Sequence, residues 1–366
     1  MPRIIHRLPP YRVERVFTEL DEADRIDWGL TLLHVPDHWK DTRGQSVKVA
    51  VLDTGIDATH PDLADAIDVL HDFTGSRAGT ADVQGHGTHT AGIVAARRNN
   101  IGVVGVAPDC RLLIGKVLGD DGSGIGQWVA AGIDWACDQG ADVISMSLGS
   151  PLPDPTIYAA IQRAAAKGKF VIAAAGNDGG AAGEDRVDYP GRWRETIAVA
   201  AFDRDRNLAP FSSQGPEVDV AAPGEDITST FPMNQGGYAI LSGTSMATPF
   251  VAGVVALLIA LKRQAGHTQP PLETVAQLRD LIAKTAIDAG PPGKDWGFGY
   301  GLISPDGLLV PDPVAMPSPG TTQPGTSPNP GTSPGATPNP ADGFHIGPVV
   351  IHVPARAGDL ASLNVA

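Results

Sequence analysis

The chain has 366 residues, 42% of them hydrophobic, enough to bury a sizeable core. A formal net charge of −14 opposes nucleic acid and anionic membrane surfaces, both of which would repel it. The two cysteines, Cys110 and Cys137, form no Cys-x-x-Cys pair, which argues against a redox motif or zinc knuckle; one disulfide stays open, and free thiols in a reducing compartment are favoured.

In chain order, residues 1–20 are basic and proline-containing (Arg3, Arg7, Pro9, Pro10, Arg12) and read as a short separate extension. Met1–Pro10 lacks the apolar run and cleavage pattern of a secretory signal. Residues 21–310 alternate apolar, strand-like runs with helix-like stretches. Val47–Leu52, Leu112–Val117, Val143–Met146, Phe170–Ala175 and Thr196–Ala201 read as strands, and Thr88–Arg97, Gln127–Gln139 and Thr156–Lys167 as helices. Strands without polar alternation are buried on both faces. With helices between them they predict an α/β fold: a mostly parallel central sheet in a three-layer α/β/α arrangement. The apolar run Phe250–Leu261 is too short to span a bilayer and suits a buried helix. Residues 311–340 are Pro/Gly/Thr/Ser repeats that cannot bury a core and read as an extended linker. Residues 341–366 form a C-terminal tail with a short apolar cluster.

Three motifs carry chemistry. VAVLDTGID (49–57) delivers Asp53 at the C-terminal end of an apolar strand, where open α/β sheets place their sites. GHGTHTAG (85–92) sets His86 between glycines just before a helix, allowing close backbone approach. SGTSMATPFVAG (242–253) puts Ser245 where a turn enters a long apolar helix, with Pro249 expected in the first turn and the helix N-terminus favouring developing negative charge. Singly, each residue reads as a cap or a surface group. Together, in the order Asp…His…Ser, they match a nucleophile, base and orienting acid.

Over residues 24–310 these motifs resemble the subtilisin-like serine proteases (peptidase family S8), whose chain order this is. The resemblance implies a serine endopeptidase acting on proteins and peptides. Ser245 would attack the carbonyl, His86 would move the proton and Asp53 would hold the imidazole. FVIAAAGND (170–178) resembles the oxyanion-hole strand, with Asn177 and the Ser245 N–H as donors. Ser147, Leu148 and Gly149 match the strand that pairs with substrate. Ala174, Ala175 and Gly176 match a wall of the primary specificity pocket, and Asp188 stands at its base. A substrate Arg or Lys facing Asp188 would gain several kcal/mol of Coulomb energy before desolvation, implying a basic preference before the scissile bond. ARRNNIGVVGVAP (96–108) resembles a structural Ca2+ loop, implying ligands from Asp62, Asn99, the carbonyls of Arg97, Ile101 and Val103, and Asp24 from the N-terminal side. A weaker cation site is implied at the carbonyls of Gly191, Trp193 and Thr196 with Asp219.

RLPPYRVERV (7–16) resembles the N-terminal extension of intracellular subtilisins, which lies back across the cleft as an intramolecular inhibitor. That implies a cytoplasmic, latent enzyme, with an extracellular one disfavoured by the absent signal. A homodimer stays open. A catalytically silent scaffold of the same fold is the rival reading. A lipase is disfavoured, since Gly243-Thr244-Ser245-Met246-Ala247 lacks the last glycine of its nucleophile elbow. A nucleotide site is disfavoured because Gly176, Gly179 and Gly180 miss the G-x-G-x-x-G spacing.

Overall fold

The computed structural model describes residues 4–18, 23–180, 183–264 and 271–310. The expected linker and tail lie outside them. The strands are β1 (Ile5–Arg7), β2 (Arg12–Phe17), β3 (Lys48–Asp53), β4 (Ile67–Asp72), β5 (Arg111–Lys116), β6 (Ser123–Ile125), β7 (Val143–Met146), β8 (Phe170–Ala174), β9 (Thr196–Phe202), β10 (Val218–Pro223), β11 (Ile227–Thr230) and β12 (Tyr238–Ser242). The helices are α1 (Trp28–Leu32), α2 (Val35–His38), α3 (His86–Ala95), α4 (Gly126–Asp138), α5 (Pro155–Ala166), α6 (Thr244–Lys262), α7 (Val275–Thr285) and α8 (Pro305–Leu308).

Seven strands form one parallel sheet in the order β10-β9-β8-β7-β3-β5-β4. Strand β3 shows why the sheet needs helices on both faces. Its alternate residues Val49 and Val51 enter one buried cluster with α3, α6 and α7, while Ala50 and Leu52 enter another with α4 and α5. Both sets are shielded from water, which a two-layer protein could not achieve. The free thiols Cys110 and Cys137 belong to opposite clusters, so the sheet separates them. Burial pushes the Cys110 thiol up to about 12, leaving it an inert apolar side chain.

Because β5 and β7 flank β3 on either side, the chain order reverses there. Asp53 emerges at that switch point, at the carboxyl end of β3 and in register with Lys116. Helix α6 runs Thr244–Lys262, longer than the apolar run in its sequence. By length and composition it could cross a membrane, yet it is buried throughout inside the fold.

Two smaller sheets involve the N-terminal segment. Strand β1 pairs antiparallel with β6, and β2 adds an antiparallel strand to the β11–β12 hairpin.

Candidate active site

Asp53 ends β3, His86 begins α3 and Ser245 lies near the start of α6, with Asp53 and His86 hydrogen-bonded to each other. Helix α3 begins at His86 itself, two residues earlier than the sequence implied, because Gly85 at φ 93° serves as its N-cap. Both flanking glycines are sterically required. A Cβ at Gly85 would lie 2.3 Å from the Phe231 ring, and one at Gly87 would lie 2.2 Å from the Gly55 carbonyl oxygen.

Asp82 supplies the side-chain caps that Gly85 cannot. One of its oxygens accepts from Gly85 N (2.8 Å) and Thr54 Oγ1 (2.8 Å), the other from Thr88 N and Thr88 Oγ1 (2.7 Å each). The sequence reading missed this residue; the Asp-x-x-Gly-His spacing before the helix was its only signal.

The His86 ring is fully buried, with Nδ1 at 2.9 and 3.0 Å from the two oxygens of Asp53. A carboxylate only accepts, so Nδ1 carries a hydrogen toward Asp53 and Nε2 is the nitrogen on the ring's other side. Asp53 also accepts from Thr54 N at 2.7 Å, and the Thr90 hydroxyl lies 3.3 Å away. Among the described residues neither His86 Nε2 nor Ser245 Oγ, both buried, has a hydrogen-bond partner.

Ser245 lies in the first turn of α6. Pro249 sits in the second turn, not the first as expected. Its missing N–H deprives the Ser245 carbonyl of a helical donor. The Ser147 hydroxyl fills that place, donating to Ser245 O at 2.8 Å. Ser147 therefore positions the Ser245 backbone through its side chain.

Asn177 is held by its carbonyl oxygen, which accepts from Thr244 N (2.9 Å) and Thr244 Oγ1 (2.7 Å). This fixes the amide orientation and aims Nδ2 into the groove, where it donates to the Pro10 carbonyl at 2.8 Å.

The groove is filled by the chain's own N-terminal segment. Arg7 and Gly149 exchange N–H···O bonds of 3.1 and 2.9 Å, and Leu8 N donates to Gly122 O at 3.2 Å. The next two residues, Pro9 and Pro10, have no N–H. Tyr11 then lays its ring against His86, centroids 4.9 Å apart, and its hydroxyl accepts from Gln84 Nε2 at 2.5 Å.

Beside Gly149, Asp188 is buried with its N–H donated to Ala175 O at 2.8 Å. Its carboxylate fills the space that side chains at Gly149 and Gly176 would need, 2.9 and 3.1 Å from their hypothetical Cβ atoms. Among the described residues no donor is bonded to it. Burial, reinforced by the charge of Asp178 and opposed by Arg192, pushes its carboxyl up to about 7. Leu148 and Ala174 are buried beneath this wall.

At the 96–108 loop, the buried Asp62 carboxylate and Asn99 converge, Asn99 Nδ2 lying 3.2 Å from Asp62 Oδ1. Val103 N and Tyr238 Oη donate to Asp62 Oδ2 at 2.9 and 3.2 Å. Among the described residues no protein donor reaches the carbonyls of Arg97, Ile101 and Val103. Carbonyl and carboxylate oxygens are the donor type a hard cation takes, and here the Asp62 carboxylate is met by N–H and O–H groups. Asp24 reaches the same loop, accepting from Asn99 N (3.1 Å) and Asn100 N (2.7 Å).

The second expected cation site is corrected. The Arg279 guanidinium supplies the positive charge at Asp219, with Nε donating to Oδ1 at 2.7 Å and Nη2 to Oδ2 at 3.1 Å. Arg279 also takes the Thr196 carbonyl at 2.5 Å. The carbonyls of Gly191 and Trp193 instead surround the Thr196 hydroxyl, at 3.1 and 2.7 Å.

A seven-strand parallel sheet with these groups at its switch point defines the class: the chain is a serine endopeptidase. The subtilase family profile matches residues 44–301, and the chain belongs to that family. It is 47% identical to an intracellular serine protease of Paenibacillus polymyxa, over 70% of this chain and 79% of that one. It is 40% identical to the major intracellular serine protease of Bacillus subtilis, over 78% and 92% of the two chains. To subtilisin BL of Lederbergia lenta it is 41% identical, over 77% and 98%.

Proposed function

We propose that the chain is a latent, cytoplasmic endopeptidase that uses Asp53, His86 and Ser245 as its triad and its own N-terminal segment as inhibitor. Ser245 Oγ bonds to the scissile carbonyl carbon while its proton passes to His86 Nε2. Asp53 keeps Nδ1 protonated and stabilises the imidazolium. The oxyanion is met by Asn177 Nδ2 and the Ser245 N–H. The proton then goes to the leaving amine, and water, deprotonated by the same imidazole, releases the acyl group.

The observation that carries this reading is the Pro10 carbonyl held on Asn177 Nδ2, where a reacting carbonyl would sit. The same segment supports latency. It pairs with Gly149 as a substrate strand would, yet two prolines with fixed φ occupy the reacting stretch, and Tyr11 covers His86. Among the described residues, His86 Nε2 and Ser245 Oγ have no hydrogen-bond partner. Strand β2 then anchors the segment on β12.

Asp188 supports a preference for Arg or Lys before the cleaved bond. The Asp62–Asn99 loop would hold a structural Ca2+, which supplies positive charge to a buried carboxylate and ties the loop to the sheet. The cytoplasmic assignment draws on the intracellular proteases among the relatives.

Hydrolysis of a protein substrate by the full-length chain, beside Ser245→Ala, tests the reading. Delayed hydrolysis that Ser245→Ala abolishes supports it; hydrolysis that survives Ser245→Ala overturns the triad.

A further inference from the structure

The N-terminal segment buries one polar side chain that neither the triad nor the Asp188 pocket uses. His6, in register with Gly124 of β6, is 1% exposed. Its Nε2 lies 3.4 Å from Asp154 Oδ2. Among the described residues its buried Nδ1 has no partner.

Asp154 is built for this place. It is the N-cap of α5, with Oδ1 accepting from Thr156 N at 2.8 Å. The cap fixes the side chain and turns Oδ2 toward His6. A Cβ at Gly126 would lie 1.9 Å from that oxygen, so only glycine at the start of α4 leaves room for the carboxylate. Asp154 is 8% exposed, and among the described residues only the His6 ring is bonded to Oδ2. A buried carboxylate oxygen met by no backbone donor favours an incoming N–H.

We propose that Asp154 is a specificity-determining residue that forms a second, acidic side-chain subsite along the groove. It selects substrates carrying a histidine at the position in register with Gly124, one residue before that paired with Gly149. His6 holds this subsite in the latent chain. The inference rests on the reading of the groove as the peptide-binding path of a peptidase. It is separate from the Asp188 pocket: the Asp188 carboxylate lies against Gly149 and Gly176, that of Asp154 against Gly126.

An imidazole suits the site better than a longer cation. It reaches the carboxylate with one N–H while its apolar edge stays buried. Its second nitrogen, as a bare acceptor, costs less to leave unpaired than the several N–H groups of a guanidinium.

Two measurements test this. In the first, the full-length chain is followed to its steady rate on peptides identical but for a single His moved along the positions ahead of the cleaved bond, with a matching Phe series. The expected result is a kcat/KM maximum, roughly ten-fold in His over Phe, at one position only. In Asp154→Ser, which keeps a capping hydroxyl but shortens the reach, that ratio falls to near one. Equal ratios at every position in the wild type, or an unchanged maximum in Asp154→Ser, would overturn the subsite.

The second measurement needs no turnover. In the full-length Ser245→Ala chain, hydrogen–deuterium exchange over residues 4–12 is compared with and without the added Asp154→Ser or His6→Ala change. Faster exchange of the segment in both, and no further gain in the combination, supports the contact. Unchanged exchange overturns it. Should no peptide be cleaved, the peptidase reading fails, while the exchange result still decides whether Asp154 holds the segment.

Discussion

At the scale of single residues, the site depends on groups pre-aimed by neighbours. Asn177 is useful because Thr244 occupies its carbonyl oxygen twice, leaving only the amide hydrogens to face the groove. In Asn177→Ala, kcat should fall by about 10²–10³ with KM little changed, the loss known for the equivalent donor in subtilisin itself. An unchanged kcat would place the oxyanion elsewhere. Asp188 gives a prediction with a sign. Its carboxyl is raised to about 7, so it is largely neutral below that pH and charged above it. Selectivity for Arg over Phe should therefore grow as pH rises from 6 to 8, and Asp188→Asn should flatten that profile. A ratio independent of pH in the wild type would remove Asp188 from the pocket's chemistry. The segment that carries Asp188 was legible in the sequence through its resemblance to a pocket base. Asp82 was not, because its role is fixed by where α3 starts, which depends on Gly85 adopting a left-handed conformation.

At the scale of elements, α6 carries an internal proline that looks like a flaw until its partner is seen. Pro249 frees the Ser245 carbonyl, and Ser147 at the end of β7 satisfies it. Ser147→Ala leaves that buried carbonyl unpaired and should cost about 1–3 kcal/mol, read as a lower Tm. Ala at 147 with an unchanged Tm would mean another donor takes over. The strands of the sheet core were readable because each is an unbroken apolar run. Strand β4 was not, since Ile67–Asp72 breaks its apolar residues with Asp68, His71 and Asp72 at the sheet edge. Strand β2 was hidden for a related reason. Its residues are mostly exposed and charged, and only the free edge of β12 makes them a strand.

At the scale of the whole molecule, one chain supplies scaffold, site and the segment that fills the site. The 96–108 loop is bonded through Asn99 to Asp24 and to Asp62, which lies between β3 and β4. Chelation should lower the Tm of the full-length chain, Ca2+ should restore it, and Asp62→Asn should remove the difference. A Tm indifferent to chelator would discard the calcium reading. The Arg279–Asp219 pair shows where sequence resemblance stopped being sufficient. The oxygens of the expected second site are present, but a guanidinium from α7, distant in the chain, takes the carboxylate. Motifs report local chemistry, and a competitor brought by tertiary packing is invisible to them. The N-terminal segment is the reverse case: its Pro-Pro-Tyr run is local in sequence, and the fold sets it beside Gly149 and His86. The most direct test follows hydrolysis of an Arg-containing fluorogenic peptide by the full-length chain and by a chain beginning at Asp21, each beside its Ser245→Ala form. The account predicts a lag for the full-length chain, immediate activity without residues 1–20, and none in either Ser245→Ala form. Equal activity from the first minute in both chains would contradict latency, and silence from both would contradict the enzyme.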